Sequence, residues 1–405
     1  MYGSELAINK LYNKKNLIHL DVGGTTAKCS LIENYLPKTT TEYKLEKTRY
    51  NAGYPIQIPV IDIVEIGAGG GSIAWFDENN HLNVGPKSAG AYPGPACYSF
   101  GGKEPTVTDA YFILGILNKN NFGKGEIKIN VALARKAYRK IAKKLNQSIE
   151  DAAISVLRIM ESNTINALKL ITVQRGNDPR DFSLLACGGG GPIHASSLAK
   201  ELGIKEVIIP FYPGLFSAWG MLVTAPRRDF IISKFDKLNN LKIFDINKNF
   251  EDMIREAKKY FKSSVLRIKN LSFYFFLEMR YSGQEHTVTI KYLKAKDNLP
   301  QIKNNFHLAH EKNYTFSLDD TEIEMVSYKL VAIMDIGKTK IRKINKFLQG
   351  NNISYRKVKF IDHGILKTQI LKIYNIKPNK YYKGPLIIEE DTSTILVNPK
   401  QKIKI

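Results

Sequence analysis

Cysteine is scarce in this chain. Three occur in 405 residues, Cys29, Cys97 and Cys187, and no two stand at CxxC spacing. A disulfide framework is therefore not expected, and a reducing cytoplasm is. Long apolar runs are missing too. No stretch reaches the roughly 18–20 residues that a membrane helix needs, so no membrane partner is expected. The opening residues MYGSELAINKLYNKKN hold no apolar signal core. No repeat of solenoid period is present. Acidic residues are few: 38 Asp and Glu stand against 60 Lys and Arg, a formal charge of +22. Residues 1–227 hold 26 basic against 19 acidic side chains, and residues 228–405 hold 34 against 19. The lysines alternate with strand-like apolar residues and form no compact block. The excess is therefore read as a lysine-rich bias over solvated faces, not as a nucleic-acid surface.

What is present fits a globular chain, 43% hydrophobic and 24% charged. Its length calls for two or three domains. Residues 1–16 read as a short linker helix capped by Ser4. Residues 17–227 alternate strands and helices, the pattern of an α/β domain. In LIHLDVGGTTAKCSLIEN, apolar residues alternate on both sides of the glycines, which predicts strand, tight turn, strand. PIQIPVIDIVEI is another strand-like run. Helices are expected over 130–146 and 148–172. The second has Ser148 and Asp151 at capping-box spacing and an apolar face from Ala153 to Ile171, and Gly176 ends it. DFSLLACGGGGPIHASSLAKELG reads as strand, glycine turn, helix, with Pro192 in the first turn. Residues 228–405 change texture and read as one mainly β C-terminal domain.

Several motifs can carry chemistry. The strongest runs from Asp21 to Lys28 (DVGGTTAK). Gly23 and Gly24 lack Cβ atoms, so the backbone can approach a phosphate with its N–H groups. Thr25 and Thr26 add hydroxyls, Asp21 is a Mg²⁺ ligand candidate and Lys28 can neutralise phosphate charge. A plain hairpin turn needing glycine remains the alternative. The second motif, Cys187 to His194, places Gly188, Gly189, Gly190 and Gly191 at a helix N-terminus, where amides and dipole favour an anion. It is neither a Walker A loop nor a GxGxxG, and tight strand–helix packing is the lesser alternative. His194 is read as structural. The third motif, Gly69, Gly70, Gly71 and Ser72, is an anion-type turn of low specificity. Thr106, Thr108 and Asp109 offer two hydroxyls and a carboxylate, the last a candidate catalytic group, with a buried hydrogen-bonded loop as an alternative of at least equal weight. His307 and His310 share a helix but lack further metal ligands, and are read as surface. No Ser-His-Asp or Cys-His set can be assembled.

Taken together, DVGGTTAK, EIGAGGGSIAW, VGPKSAGAYPGPACY, PTVTDA, RGNDPRDF, CGGGGPIHA and PGLFSAWGML stand in one order across residues 17–222. That order resembles the hydantoinase A/5-oxoprolinase/acetone carboxylase family. RYSGQE and GPLIIEEDTSTILV resemble its C-terminal region. The resemblance implies an actin/hexokinase-like ATPase half, with ATP and Mg²⁺ as cofactors. Asp21–Thr26 would be the second of two phosphate hairpins, with Asp21 and Thr25 in catalysis, and Gly188–Gly191 the adenosine turn. It also implies a hydantoinase B-type partner subunit, and a lactam, hydantoin or ketone activated by phosphorylation. Lys28 stands where many relatives have Asp, and CGGGGP replaces FGGAGP. The family's N-terminal domain, with its first hairpin, is absent from the sequence. A missing or separately encoded equivalent is therefore an expected partner. A noncatalytic assembly subunit, or a split-gene product that works only with that half, stays open as the alternative.

Overall fold

The computed structural model describes residues 14–40, 44–45, 51–55, 60–263, 270–294, 296–335 and 353–405. The linker helix expected over 1–16 lies almost wholly outside these residues, as does the middle of the strand-like run at 55–66. Two compact units result, one from Met1–Thr224 with Arg342–Ile405, the other from Ala225–Ile341.

The first unit is built on β1 (Leu17–Val22), β2 (Ala27–Glu33) and β3 (Leu36–Pro37), followed by β4 (Ile63–Ile66), β5 (Ser72–Phe76) and β6 (Leu82–Ser88). Then come α1 (Val107–Ile113), α2 (Val131–Leu145), α3 (Ile149–Ile171), β7 (Ser183–Cys187), α4 (Gly191–Glu201), β8 (Val207–Ile208) and α5 (Phe216–Val223). A six-stranded sheet runs β8-β7-β1-β2-β3, with β4 also on β2. β1 lies parallel to β7, with Leu17 opposite Ser183 and Asp21 opposite Cys187, and antiparallel to β2. Central strands of a sheet covered on both faces are mostly apolar. Accordingly Leu17, Ile18, Leu20 and Val22 are buried, and so are Leu184, Leu185 and Ala186 in β7. The register ends β1 and β7 side by side, so the DVGGTT turn and the glycine turn leave the sheet at the same edge.

α3 forms as its sequence predicts. Ser148 Oγ accepts the Asp151 amide at 3.0 Å, and Ala153, Val156, Leu157, Met160, Thr164, Leu168 and Ile171 are buried. Beyond Ile171 one 3₁₀ turn reaches Gly176, which takes the left-handed conformation at φ +74°.

In the second unit β9 (Arg227–Lys237), β10 (Asn270–Tyr281), β11 (Val288–Tyr292) and β12 (Ile323–Asp335) form an antiparallel sheet in the order β9-β12-β10-β11. Two helices that the strand-like texture did not announce accompany it, α6 (Ile243–Lys262) and α7 (Leu299–Tyr314). α6 buries Ile246, Phe250, Met253, Ala257 and Phe261 in the unit's core. His307 and His310 are not surface residues either. His310 is fully buried, with Nδ1 on the Phe316 carbonyl and Nε2 on Gln284 Oε1, and His307 Nδ1 meets the Tyr281 hydroxyl.

The chain then returns to the first unit as β13 (Ser354–Phe360), β14 (Gly364–Lys372), β15 (Leu386–Glu389) and β16 (Thr394–Val397). The single domain expected over 228–405 is thus divided. The reason is burial: Val358, Phe360, Ile370, Ile387 and Leu396 belong to the same apolar cluster as Ile18, Leu157 and Ile193. Arg356 reinforces the joint. Its guanidinium donates to the carbonyls of Gly115 and Ile116 and pairs with Glu389.

Candidate functional site

A cavity of about 400 Å³ opens where β1 and β7 end. Gly23, Gly24 and Gly70 line one part, Gly189, Gly190 and Ile193 another, and Tyr98, Thr108 and Tyr111 a third. The segments Leu117–Asn118, Asn121–Gly123 and Glu389–Thr394 complete it. The DVGGTT hairpin and the CGGGG turn, about 165 residues apart in sequence, therefore face one space.

The hairpin closes through the Gly23 amide on the Thr26 carbonyl at 3.0 Å. Gly23, Gly24 and Thr25 are exposed at its tip. The amides of Gly24 and Thr25 make no hydrogen bond to any described residue. Across from it, Gly188 has φ +79°, and a Cβ there would lie 2.2 Å from the Val22 carbonyl oxygen and 2.6 Å from Asp21 Oδ1. Only glycine fits such a turn. The Gly188 amide donates to Pro213 and the Gly190 amide to Val22, while the Gly189 amide has no described partner. Unbonded amides at a strand–helix junction are what an anion or a flat polar ligand needs.

The third glycine turn behaves differently. The amides of Gly70 and Gly71 donate to the carbonyls of Gly23 and Gly24, the Gly69 amide to Ser72 Oγ at 2.8 Å, and the Ser72 amide to Gly69. Thr108 holds the Gly70 carbonyl through its amide and its hydroxyl. All four amides are engaged, so Gly69, Gly71 and Ser72 support the hairpin rather than bind an anion, and only Gly70 reaches the cavity wall.

Asp21 lies beside Gly188, and its Oδ2 accepts from Ser217 Oγ at 2.6 Å. Among the described residues no three His, Cys, Asp or Glu side chains converge as a metal cage. Mg²⁺ needs fewer, one or two carboxylates beside phosphate oxygens and water; Asp21 offers one such carboxylate behind the turn, and it does not itself line the cavity. Lys28 Nζ sits 3.0 Å from Glu65 and 2.8 Å from Thr26 Oγ1. The Lys28 ammonium holds the Glu65 carboxyl below its usual range. Lys28 does not line the cavity.

Asp109 is fully buried. Its carboxylate accepts from the amides of Ala96, Cys97 and Thr106 and from Thr106 Oγ1. These bonds pin the Gly/Pro-rich loop onto the start of α1 in a complete capping box. With its acceptor sites turned to the loop and no exposure to the cavity, Asp109 is a structural carboxylate, and the catalytic role expected for it is withdrawn. All three cysteines are free and buried, and burial pushes the Cys29 thiol up to about 12.

Two groups escaped the sequence reading. Glu389 pairs with Arg356 and accepts from Asn118 Nδ2 at 3.1 Å. Glu390 is buried, and desolvation pushes its carboxyl up to about 7 despite the Ser393 hydroxyl on Oε2. Buried carboxyls with displaced pKa values in a cavity mark functional sites. The run GPLIIEEDTSTILV carried the signal, two adjacent acids in an apolar strand.

Comparison with known proteins adds to this geometry. Residues 3–230 match the family model described as Hydantoinase/oxoprolinase. An uncharacterized protein of Methanocaldococcus jannaschii is 37% identical over 398 residues, covering 96% of this chain and 57% of the relative. The caprolactamase subunit alpha of Pseudomonas jessenii is 29% identical, covering 99% and 58%. The structure of the ATP-dependent caprolactamase from the same organism superposes with a TM-score of 0.80 at 28% identity, over 100% of this chain and 59% of that one. Nucleotide-free acetone carboxylase shares the fold at TM-score 0.83 and 22% identity, over 99% and 58%. The chain thus spans a little under three fifths of the length of these proteins. No helix among the described residues is long and apolar enough to cross a membrane.

Proposed function

The chain belongs to the hydantoinase/oxoprolinase family, and on that footing we propose that it is the ATP-binding subunit of an ATP-dependent amidohydrolase or carboxylase. The observation that carries the proposal is the shared cavity, into which an anion-type hairpin and an anion-type strand–helix turn both open. The free amides of Gly24 and Thr25, with the Thr25 hydroxyl, would receive phosphate oxygens. The Gly189–Gly190 backbone would take the nucleoside, with no side chain in the way. Asp21, steadied by Ser217, would hold Mg²⁺ through water. ATP, when bound, supplies the phosphoryl group that activates a lactam, hydantoin or ketone oxygen. The chain's own part is positioning and charge neutralisation, the main work of phosphoryl-transfer proteins. A hydantoinase B-type subunit would act on the activated substrate, and a domain carrying a second phosphate hairpin would close the phosphate side.

The test is calorimetric titration of the full chain with Mg·ATP. It is followed by phosphate release across lactam, hydantoin and ketone substrates, with and without the partner subunit and the N-terminal domain of a relative added in trans. Measurable ATP binding by the chain, and turnover that appears only with the added components, is the expected result. Absence of ATP binding in every combination would overturn the reading.

A further inference from the structure

One buried group of titratable side chains is not used by the function above. His194, in the first turn of α4, has both ring nitrogens engaged and is 3% exposed. Its Nδ1 lies 2.9 Å from Glu161 Oε1 on α3, and its Nε2 meets the Tyr111 hydroxyl on α1. Tyr111 is itself 2% exposed and lines the cavity. Three helices are thus tied together by one hydrogen-bond chain. One end of the chain is at the cavity wall, and its middle member lies three residues after Gly191.

With Glu161 as a carboxylate and His194 as a neutral imidazole, the direction of each hydrogen bond follows. Glu161 as a carboxylate only accepts, so Nδ1 of His194 must carry the hydrogen. In neutral imidazole the other nitrogen is then bare and accepts, so the Tyr111 hydroxyl donates to Nε2. The only other described partner of that hydroxyl is the Met160 sulfur at 3.8 Å, a weak acceptor. Burial and the Glu161 charge keep the Tyr111 phenol protonated far above its ordinary range, so it stays a donor. Two polar groups near this chain have partners of their own: the Tyr138 hydroxyl on α2 donates to the Thr106 carbonyl, and Asp109 on α1 is turned to the loop.

We propose that Tyr111, His194 and Glu161 are positioning residues that act as one unit, fixing the Tyr111 wall of the cavity against the Gly189–Gly190 turn and so setting nucleotide affinity. Glu161 selects the imidazole tautomer, the tautomer selects the direction of the Tyr111 hydroxyl, and the hydroxyl holds the ring. The affinity half of this inference rests on the nucleotide reading above, and the tautomer half does not. A purely structural brace would lower stability and leave the affinity of folded protein unchanged.

The test uses the full chain and two variants that keep side-chain bulk, Tyr111→Phe and Glu161→Leu. Imidazole ¹⁵N shifts report the tautomer without any ligand. His194 should carry its hydrogen on Nδ1 in the wild type and move it to Nε2 in Glu161→Leu. Titration with Mg·ATP should show each variant weakened about tenfold, the effect of losing one buried hydrogen bond. The double variant should be no weaker than the worse single one, as members of a single unit are non-additive. Melting curves confirm that each variant is folded at the titration temperature. A hydrogen on Nε2 in the wild type, unchanged ATP affinity in folded Tyr111→Phe, or additive losses would each overturn the proposal. If the wild type itself binds no ATP, the nucleotide reading fails and the affinity half falls with it, while the tautomer measurement still decides whether the chain of bonds is directed as stated.

Discussion

The two glycine turns that offer unbonded amides at the cavity and the one that offers none are written in nearly the same letters. DVGGTT, CGGGG and GAGGGS each follow a strand and each look able to hold an anion. The difference lies in where the amides go. Gly24, Thr25 and Gly189 keep theirs free of described partners, whereas Gly69, Gly70, Gly71 and Ser72 all donate within the fold. The third turn makes the first one possible, because two of its amides hold the carbonyls of Gly23 and Gly24. A glycine-rich sequence shows that backbone must come close to something. Whether that something is ligand or backbone is decided by hydrogen bonds that only the fold displays.

The largest effect is expected at Gly188. Replacing it with Ala sets a Cβ against the Val22 carbonyl and the Asp21 carboxylate at a positive φ, and should cost on the order of 4 kcal/mol. The expected result in chemical denaturation is a chain that is barely folded. A stability within 1 kcal/mol of wild type would mean that the turn relaxes, and that its glycines serve the ligand more than the packing. Next comes Asp109→Asn. The amide NH₂ would face donors that now point at a carboxylate oxygen, at a cost of about 3 kcal/mol. Stability should fall while the ATP affinity of the folded fraction holds. The opposite outcome would restore Asp109 to the chemistry.

Much of the first unit was legible in the sequence, because local patterns there coincide with tertiary roles. Apolar residues on both sides of DVGGTT specify a hairpin, and the Ser148 cap with the face from Ala153 to Ile171 specifies a long helix. The return of residues 353–405 was not legible. Strand texture reports a half-buried surface and is silent about which core buries it. Val358 and Ile387 read the same whether they pack on unit one or unit two. The α6 face was on the page at helical spacing, Ile246, Phe250, Met253, Ala257 and Phe261, yet it lay in a lysine-rich stretch read as β. The Tyr111–His194–Glu161 chain joins three helices through residues far apart in sequence, and no local pattern announces such a contact.

Glu390 sharpens the comparison in another way, as a carboxyl that lines the same cavity as the glycine turns. Burial lifts it to about 7 in the folded chain, against an ordinary value of 4.5. A raised carboxyl favours folding fully below the unfolded value, and that contribution is lost as pH rises from about 4.5 to about 7. Above that window the charge is buried at a cost, so Glu390→Gln should be more stable than wild type at pH 8 by about 3 kcal/mol. The gap should close by about pH 4.5. Denaturation midpoints measured at both pH values give the answer. A gap independent of pH would mean that the carboxyl is not the source.

The smallest effect on stability, and the most direct test of the contrast between the turns, is expected from Gly24→Ala. No atom lies within 4 Å of the Cβ it would add. The position is exposed and its φ is not in the left-handed region. The melting temperature should therefore stay close to that of wild type, a surface change of about 0.5 kcal/mol or less. Affinity is another matter. If a phosphate sits on the free amides of Gly24 and Thr25, a methyl group at the tip stands in its approach, and Mg·ATP binding should weaken about tenfold or more, some 1.4 kcal/mol. Gly70→Ala is the matched control. Its Cβ would meet Thr108 Oγ1 at 2.9 Å, so it should disturb the support of the hairpin and lower stability together with affinity. Separation of the two quantities at Gly24 and their joint loss at Gly70 would establish one turn as ligand-facing and the other as its scaffold. Equal ATP affinity in wild type and Gly24→Ala would show that the hairpin tip meets no phosphate, and the unbonded amides would then have to be assigned to the face of another chain.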